Sequence, residues 1–299
     1  MMRFVLLGML AFTAALATTA LAEEVPAAPQ DTRYFGGLLD SRSRYGHGWF
    51  PEPLRAPEMD VDDELRLDWF HAERSGFQAD ELTLEIEKSF GLLTLEVEVG
   101  YERESERGID PDTALSFHER SEGIGPIELS ARHPIYQWVS DDERFDFTLA
   151  PALEVAIPSN SDVSKDGEVV PKLFGLMRIG EHFSVQTSVG YSFVIGPEES
   201  GQQVLEYAAV FGWSFEQQDL TFLPGAIQRI IPLVEVVGER GLNHGEYTNV
   251  LTGTAGVRVI FDSVGPFQPR IGVGYAFPID AGGRDEFDWG IISSVVLEF

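Results

Sequence analysis

The chain has 299 residues, 49 of them acidic against 21 basic, with a formal net charge of −28 and no cysteine. Such an acidic balance excludes nonspecific nucleic-acid binding. The absence of cysteine excludes a disulfide framework, a thiol nucleophile and a lipoprotein attachment site.

Met1-Met2-Arg3 makes a short basic region, Phe4 to about Thr19 an apolar run, and Ala20-Leu21-Ala22 a small-residue cleavage signal before Glu23. Residues 1–22 are therefore expected to be a signal peptide that directs export. Its removal takes away only Arg3, which leaves about 277 residues and moves the net charge from −28 to −29. The apolar run is too short for a permanent anchor, and no later run approaches the length of a spanning helix. Any passage through a membrane must then be made by strands.

Residues 23–62 are expected to form an N-terminal periplasmic or plug segment. From Asp31 to Ala56 it carries Arg33, Arg42, Arg44 and Arg55 against Asp31, Asp40 and Glu52, so it is slightly basic within an acidic chain. Two readings stand side by side. The segment is a flexible periplasmic leader, or it folds into a lumen and pairs its arginines with an acidic wall.

Residues 63–299 read as strands throughout. Twelve segments carry the pattern, at 63–73, 79–88, 92–102, 125–137, 145–157, 169–179, 183–195, 203–215, 229–238, 249–260, 268–277 and 287–299. Most match the length a tilted strand needs to cross a bilayer. In LTLEIEKSFGLLTLEVEVGYE, Leu82 to Glu102, aliphatic residues alternate with polar ones on both sides of a Ser89-Phe90-Gly91 turn, the signature of a hairpin. The same period runs through Phe183–Ile195 and Tyr207–Phe215. No amphipathic helix of useful length stands out.

The connections alternate in length. The segments 103–124, 158–168, 196–202, 239–249 and 278–286 are long, whereas 89–91, 139–144, 180–182 and 262–266 are short. Long outer loops and short inner turns are the outer-membrane pattern, with the short first outer loop and the long inner segment 216–228 as exceptions. Phe145, Phe147, Tyr191, Phe193, Tyr207, Phe215, Tyr275, Phe277, Phe287 and Phe299 fall towards strand ends, where headgroup-level girdles form. The chain closes on WGIISSVVLEF, and an alternating last strand with a terminal Phe299 resembles the assembly signal of bacterial outer-membrane barrels. The expected fold is all-β: a closed antiparallel up-and-down transmembrane barrel of about twelve strands, in the outer membrane of a Gram-negative cell.

If the apolar faces meet lipid, the polar faces line a lumen. Lumen candidates are Glu85, Glu87, Glu96, Glu98, Glu128 and Glu154 among the acids, and Arg132, Arg178, Arg258 and Arg270 among the bases, with Glu64, Asp68, Glu81, Glu102, Arg66 and Lys172 also inward. Closure of the last strand beside the first is expected to bring Arg258 and Arg270 to the acidic wall, with Arg132 and Arg178 further round. The interior is then a water-filled, charge-segregated passage or a set of internal salt bridges that closes a narrow barrel. Arg33, Arg42, Arg44 and Arg55 are the plug candidates.

Catalytic and metal motifs are not found. The six histidines form no H-x-x-x-H or H-E-x-x-H pair. In Leu242-Asn243-His244-Gly245-Glu246, Glu246 stands where the His-Ser-Asn site of the outer-membrane phospholipase needs serine. The loop SNSDVSKDGE lacks EF-hand spacing. No cofactor is expected. The expected partners are outer-membrane lipid, the barrel-assembly machinery during insertion and a small-molecule solute, with no nucleic acid.

Six stretches carry a family resemblance: GIGPIELSARH at 123–133, LAPALEVAIP at 149–158, SVGY at 188–191, PLVEV at 232–236, GVRV at 256–259 and IGVGYAFP at 271–278. In this order, over roughly residues 120–299, they resemble the outer-membrane transporter family linked to meta-pathway phenol degradation. Pro126 stands where that family often has Asp, and Ile157-Pro158-Ser159-Asn160 replaces its Leu-Pro-Thr-Gly. The resemblance implies a barrel that passes small organic compounds and carries over no catalytic residue. The expected function is a passive channel for small, organic solutes through a charged lumen. The alternatives are a closed structural or partner-binding barrel, and a subunit whose leader docks to an envelope complex.

Overall fold

The computed structural model describes residues 38–109, 116–159, 161–197, 201–220, 225–243 and 249–299. The expected signal peptide and Arg33 lie outside the described residues. The strands are β1 (Glu64–Arg74), β2 (Phe77–Phe90), β3 (Leu93–Ile109), β4 (Ser116–Arg132), β5 (Tyr136–Val139), β6 (Phe145–Ile157) and β7 (Gly167–Ile179). They continue as β8 (Phe183–Ile195), β9 (Gln203–Trp213), β10 (Phe215–Glu216), β11 (Ile227–Gly241), β12 (Asn249–Phe261), β13 (Gln268–Pro278) and β14 (Trp289–Glu298). One short helix, α1 (Ala281–Glu286), sits between β13 and β14.

The strands pair antiparallel in chain order, with β5 and β10 as short side members, and β14 returns to pair with β1 from Glu64↔Glu298 to Glu73↔Trp289. The sheet is thereby closed and has no free edge. β4 and β5 share β6 as partner, and β9 and β10 share β11, so each couple makes one stave and the ring has twelve. The first of these breaks falls at His133-Pro134, inside the expected strand 125–137. Proline has no N–H to give the ladder.

The expected outer loop 103–124 is mostly strand. β3 and β4 stay paired as far as Ile109↔Ser116. The residues there, such as Arg103, Glu104, Ser105 and Glu106, are polar on both faces, so period two carries no apolar signal. A strand that projects beyond a bilayer meets water on both sides and needs none. Lower down, Val99 pairs with Ile127 and Tyr101 with Ile124, so Gly125 and Pro126 together face Gly100 in a β-bulge. The expected loop 278–286 contains α1, whose N-cap Asp280 accepts from the Gly283 N–H at 2.8 Å. That bond, ahead of the one Asn249 donates, holds the Asp280 carboxyl below its ordinary range.

Burial decides which face looks where. Glu64, Glu87, Glu235 and Arg258 have no exposed surface, and Arg270 and Arg132 keep only 1–2%. On the opposite parity Leu95, Val97, Leu153, Val234 and Val273 are 43–50% exposed. A water-soluble monomer does not wear a continuous apolar belt around charged buried residues. The molecule is inside-out in the manner of a membrane barrel.

Aromatic residues rim both ends of the belt. At the end where β1 begins and β14 stops, here the inner end, Trp213 contacts Phe183 and Phe215, and Phe267 contacts Phe299. At the outer end Tyr191 packs on Phe193 and Tyr275 on Phe277. Phe287 departs from the expected girdle. It is buried among Ala72, Ala276 and Phe70, because the turn after α1 aims it inward.

Candidate functional site

The inward positions follow from register. On β1–β3 they carry Glu64, Arg66, Asp68, Glu85, Glu87, Glu96 and Glu98. On β4, β6 and β7 they carry Glu128, Arg132, Glu154, Lys172 and Arg178, and on β12 and β13 Arg258 and Arg270. The wall is not polar all round, however. Ala150, Phe174, Leu176, Ala208, Val210, Ile231, Leu233 and Ile292 also point inward and are buried. Their partners are not wall residues alone.

Residues 38–62 run inside the ring. From the inner end, Ser43 Oγ donates to Asp146 at 2.8 Å, and Arg229 Nη1 donates to the carbonyls of Gly48 and Trp49 at 3.3 and 3.2 Å. Gln186 Nε2 donates to Pro51 O at 2.6 Å. The segment turns at Leu54–Ala56, where Glu235 on β11 accepts from the N–H groups of Leu54, Arg55 (2.8 Å) and Ala56 (3.0 Å). It then returns past Asp60, whose carbonyl accepts from Arg132 Nε at 2.8 Å, and leads into β1.

Apolar packing follows the same path. Tyr45, Phe50, Ala56, Met59 and Val61 form one cluster with the inward Ala150, Phe174, Leu176, Ala208 and Val210. Leu54 packs with Leu233 and Ile292. A Cβ added to Gly256, Gly272 or Gly274 would overlap a Leu54 methyl group, so these three adjacent inward glycines are a socket for that side chain. The apolar part of the lumen wall exists to receive this segment.

The ion pairs reverse the expected polarity. Of the two readings of the segment, the plug reading expects its arginines to meet an acidic wall. Instead its acids meet wall arginines: Glu52 pairs with Arg270 and lies 3.4 Å from Arg258, Asp62 lies 3.4 Å from Arg270, and Glu58 lies 3.6 Å from Arg66. Arg42 turns back to Asp40 on its own segment at 2.8 Å, which holds the Asp40 carboxyl below its ordinary range. Arg44 is exposed. Arg55 reaches the interior, where its guanidinium lies 4.3 Å over the ring of Phe70 and 5.4 Å from that of Phe287.

The wall arginines also differ from expectation. Arg132 belongs to the acidic wall, paired with Glu87 and, at 2.8 Å, with Glu96, because β4 lies directly beside β3. Arg258 and Arg270 hold the internal segment: Arg258 Nη2 donates to Pro53 O at 2.7 Å. Arg178 donates to Gly180 O at 2.7 Å and Glu143 O at 2.6 Å near the inner rim, beside Trp49. Lys172 pairs with Glu154 at 2.7 Å and Glu206 at 3.2 Å. Glu235 was not among the lumen candidates, and the plug reading of residues 23–62 named its arginines rather than Glu52, Glu58, Asp60 and Asp62 as the groups that meet the wall. The alternation Glu58-Met59-Asp60-Val61-Asp62 and the glycines at inward positions of β12 and β13 are the signals that mark them.

Above the apex the interior opens. A cavity of about 300 Å³ is lined by Glu81, Glu98, Glu128, Glu154, Glu206 and Glu239, with Arg55, Lys172, Phe70, Phe174 and Tyr207, and reaches down to Glu58, Arg66, Glu85 and Glu96 beside the apex. A second, of about 290 Å³, shares Arg55, Phe70, Glu81 and Glu239 and continues past Glu102 and Glu104 towards the outer end. The inner half is thus filled by chain, and the outer half is an acidic vestibule.

Closed twelve-stave connectivity, an apolar belt between aromatic rims and an inward set of charges define a transmembrane β-barrel of the bacterial outer-membrane class. Comparison with known proteins places the fold more closely. No family model matches the chain, and no curated protein matches it in sequence. Among solved structures it is similar to an outer membrane channel from Pseudomonas putida F1, at 12% identity over 84% of this chain and 100% of that one, with a TM-score of 0.53. It also matches the NanC porin, at 11% identity over 78% of this chain and 98% of that one, with a TM-score of 0.46. At such identities the first likeness is one of fold.

Proposed function

We propose that the protein is an outer-membrane channel for small solutes, whose acidic outer vestibule draws in cationic and polar compounds and whose inner half is closed at rest by residues 38–62. The observation that carries this reading is the division of one interior into two unlike halves. Below Leu54–Ala56 the internal segment touches wall residues of β1, β4, β6, β8 and β11 to β14. Above it about 300 Å³ of space is lined by carboxylates that face one another across a gap. A wall of one sign raises the local concentration of opposite charge and selects among ions. For the small organic compounds implied by the resemblance of residues 120–299, Phe70, Phe174 and Tyr207 supply apolar surface among those carboxylates.

The test is conductance in planar bilayers. The full chain is expected to give rare or small steps, and a variant lacking residues 38–62 to give large, frequent, cation-selective steps. Equal conductance from both proteins, or anion selectivity, rejects the reading. The tight packing of the internal segment favours one rival, a permanently closed structural barrel. Silence from both proteins, each running as a folded heat-modifiable band, would establish that rival.

A further inference from the structure

Strand register stacks carboxylates of the inner wall side by side. Glu64 stands opposite Glu87, and Glu87 opposite Glu96; one step outward Glu85 stands opposite Glu98, and Glu98 opposite Glu128. Like charges directly opposite each other destabilise a sheet, and Glu64, Glu85 and Glu87, at 0–5% exposure, have little water to screen them. One carboxylate oxygen from each of Glu85, Glu87 and Glu96 lies within 4.8 Å of the other two.

Two arginines serve this group, and they do not satisfy it. Arg132 takes one oxygen of Glu87 and one of Glu96. Arg66 is spread over Asp68 at 2.6 Å, Glu58 at 3.6 Å and Glu85 at 3.7 Å, and it also donates to the carbonyls of Pro53 and Leu54. Glu85 Oε1, Glu87 Oε2 and Glu58 Oε2 remain buried with no hydrogen-bond partner, on side chains that are 0–6% exposed. Buried acceptors are normally satisfied. Here unpartnered oxygens converge from the wall and from the internal segment: Glu58, Glu64, Asp68, Glu85, Glu87 and Glu96 surround Arg66 and Arg132, with Arg258 acting on Glu58, Glu64 and Asp68 from beyond ion-pair distance.

We propose that Glu85, Glu87 and Glu96 bind one divalent cation of the hard, oxygen-seeking class, and that the ion helps to fasten the Glu58 stretch to the wall. Calcium suits the site better than magnesium, because it accepts many carboxylate oxygens in irregular geometry, whereas magnesium requires a near-ideal octahedron. The neighbouring set Glu52, Asp62 and Glu64 is equally close. There Glu52 has two arginines, Arg270 and, at 3.4 Å, Arg258, and Asp62 lies 3.4 Å from Arg270, so less negative charge is left for an ion to meet. This site does not depend on the transport reading, and its failure would leave that reading untouched.

The test uses the full, folded protein in detergent, stripped with chelator and titrated with calcium chloride by calorimetry. The wild type is expected to take up one equivalent, and its heat-dissociation temperature on gels to rise. The Glu85→Gln/Glu87→Gln variant should bind none. In chelator this variant should dissociate at a higher temperature than the wild type, because repulsion has been removed, and in millimolar calcium the order should reverse. If the double variant does not assemble, Glu85→Gln alone, which leaves both pairs of Arg132 intact, should lower calcium affinity at least about tenfold. No uptake by the wild type overturns the proposal. So does equal binding by the variants, or a double variant that dissociates at a lower temperature in chelator as well as in calcium.

Discussion

Glu235 holds the apex of the internal segment, and its removal should open the barrel. The carboxylate has no exposed surface and accepts three consecutive backbone N–H groups, those of Leu54, Arg55 and Ala56. Glu235→Ala leaves three donors without an acceptor, and each buried orphan costs about 1–3 kcal/mol. Leu54, Arg55 and Ala56 also line the outer cavity, so water can relieve part of that cost. The net loss of docking should be about 2–4 kcal/mol, which raises the undocked population about 30- to 1,000-fold. The natural chain contains no cysteine. Ala56→Cys therefore introduces a single thiol, at a position 3% exposed, whose alkylation rate reports undocking directly. In an Ala56→Cys background Glu235→Ala should accelerate labelling by that factor, and Glu235→Gln, which keeps a carbonyl acceptor, by less. An unchanged labelling rate in folded protein would refute the idea that these three bonds hold the segment in place.

Two further outcomes test the wall. Arg132→Ala strands Glu87 and Glu96 without their shared cation, and should cost about 3–5 kcal/mol in urea unfolding from liposomes; Glu87→Gln in the same chain should recover part of the loss, and an unchanged midpoint would contradict the pairing. Val97→Arg places a charge on the lipid face of β3 and should cost about 2–4 kcal/mol. Glu98→Gln, one residue along on the lumen face, should be neutral or stabilising because Glu98 lies between Glu85 and Glu128. Equal effects at 97 and 98 would mean that the faces are misassigned.

Membership of a face was readable along the chain. The alternation in Leu82–Glu102 and Phe183–Ile195 assigns every residue there to lipid or lumen, because side-chain direction in a strand has a period of two whatever the strand packs against. The length of β3 and β4 was not readable, since beyond the bilayer neither face is selected for apolarity. The parity of Lys172 and Arg178 also carries Phe174 and Leu176 inward, but nothing along the chain says why apolar residues should stand there. Apolar residues at lumen positions make sense only once something inside the lumen is known to cover them.

The choice of partner was decided by closure and by the third dimension. Composition made residues 31–56 look basic, and suggested arginines meeting acids. Yet Arg42 lies close enough to Asp40 to pair locally, while Glu52 meets Arg270 and Arg258 and Asp62 meets Arg270, on strands about 200 residues further along the chain. Arg132 joined the acidic wall because β4 follows β3 in space as well as in sequence. Local periodicity is a property of a few consecutive residues and survives in the sequence. An ion pair between residues 52 and 270 depends on twelve staves closing around a returning chain, and no short stretch encodes that encounter.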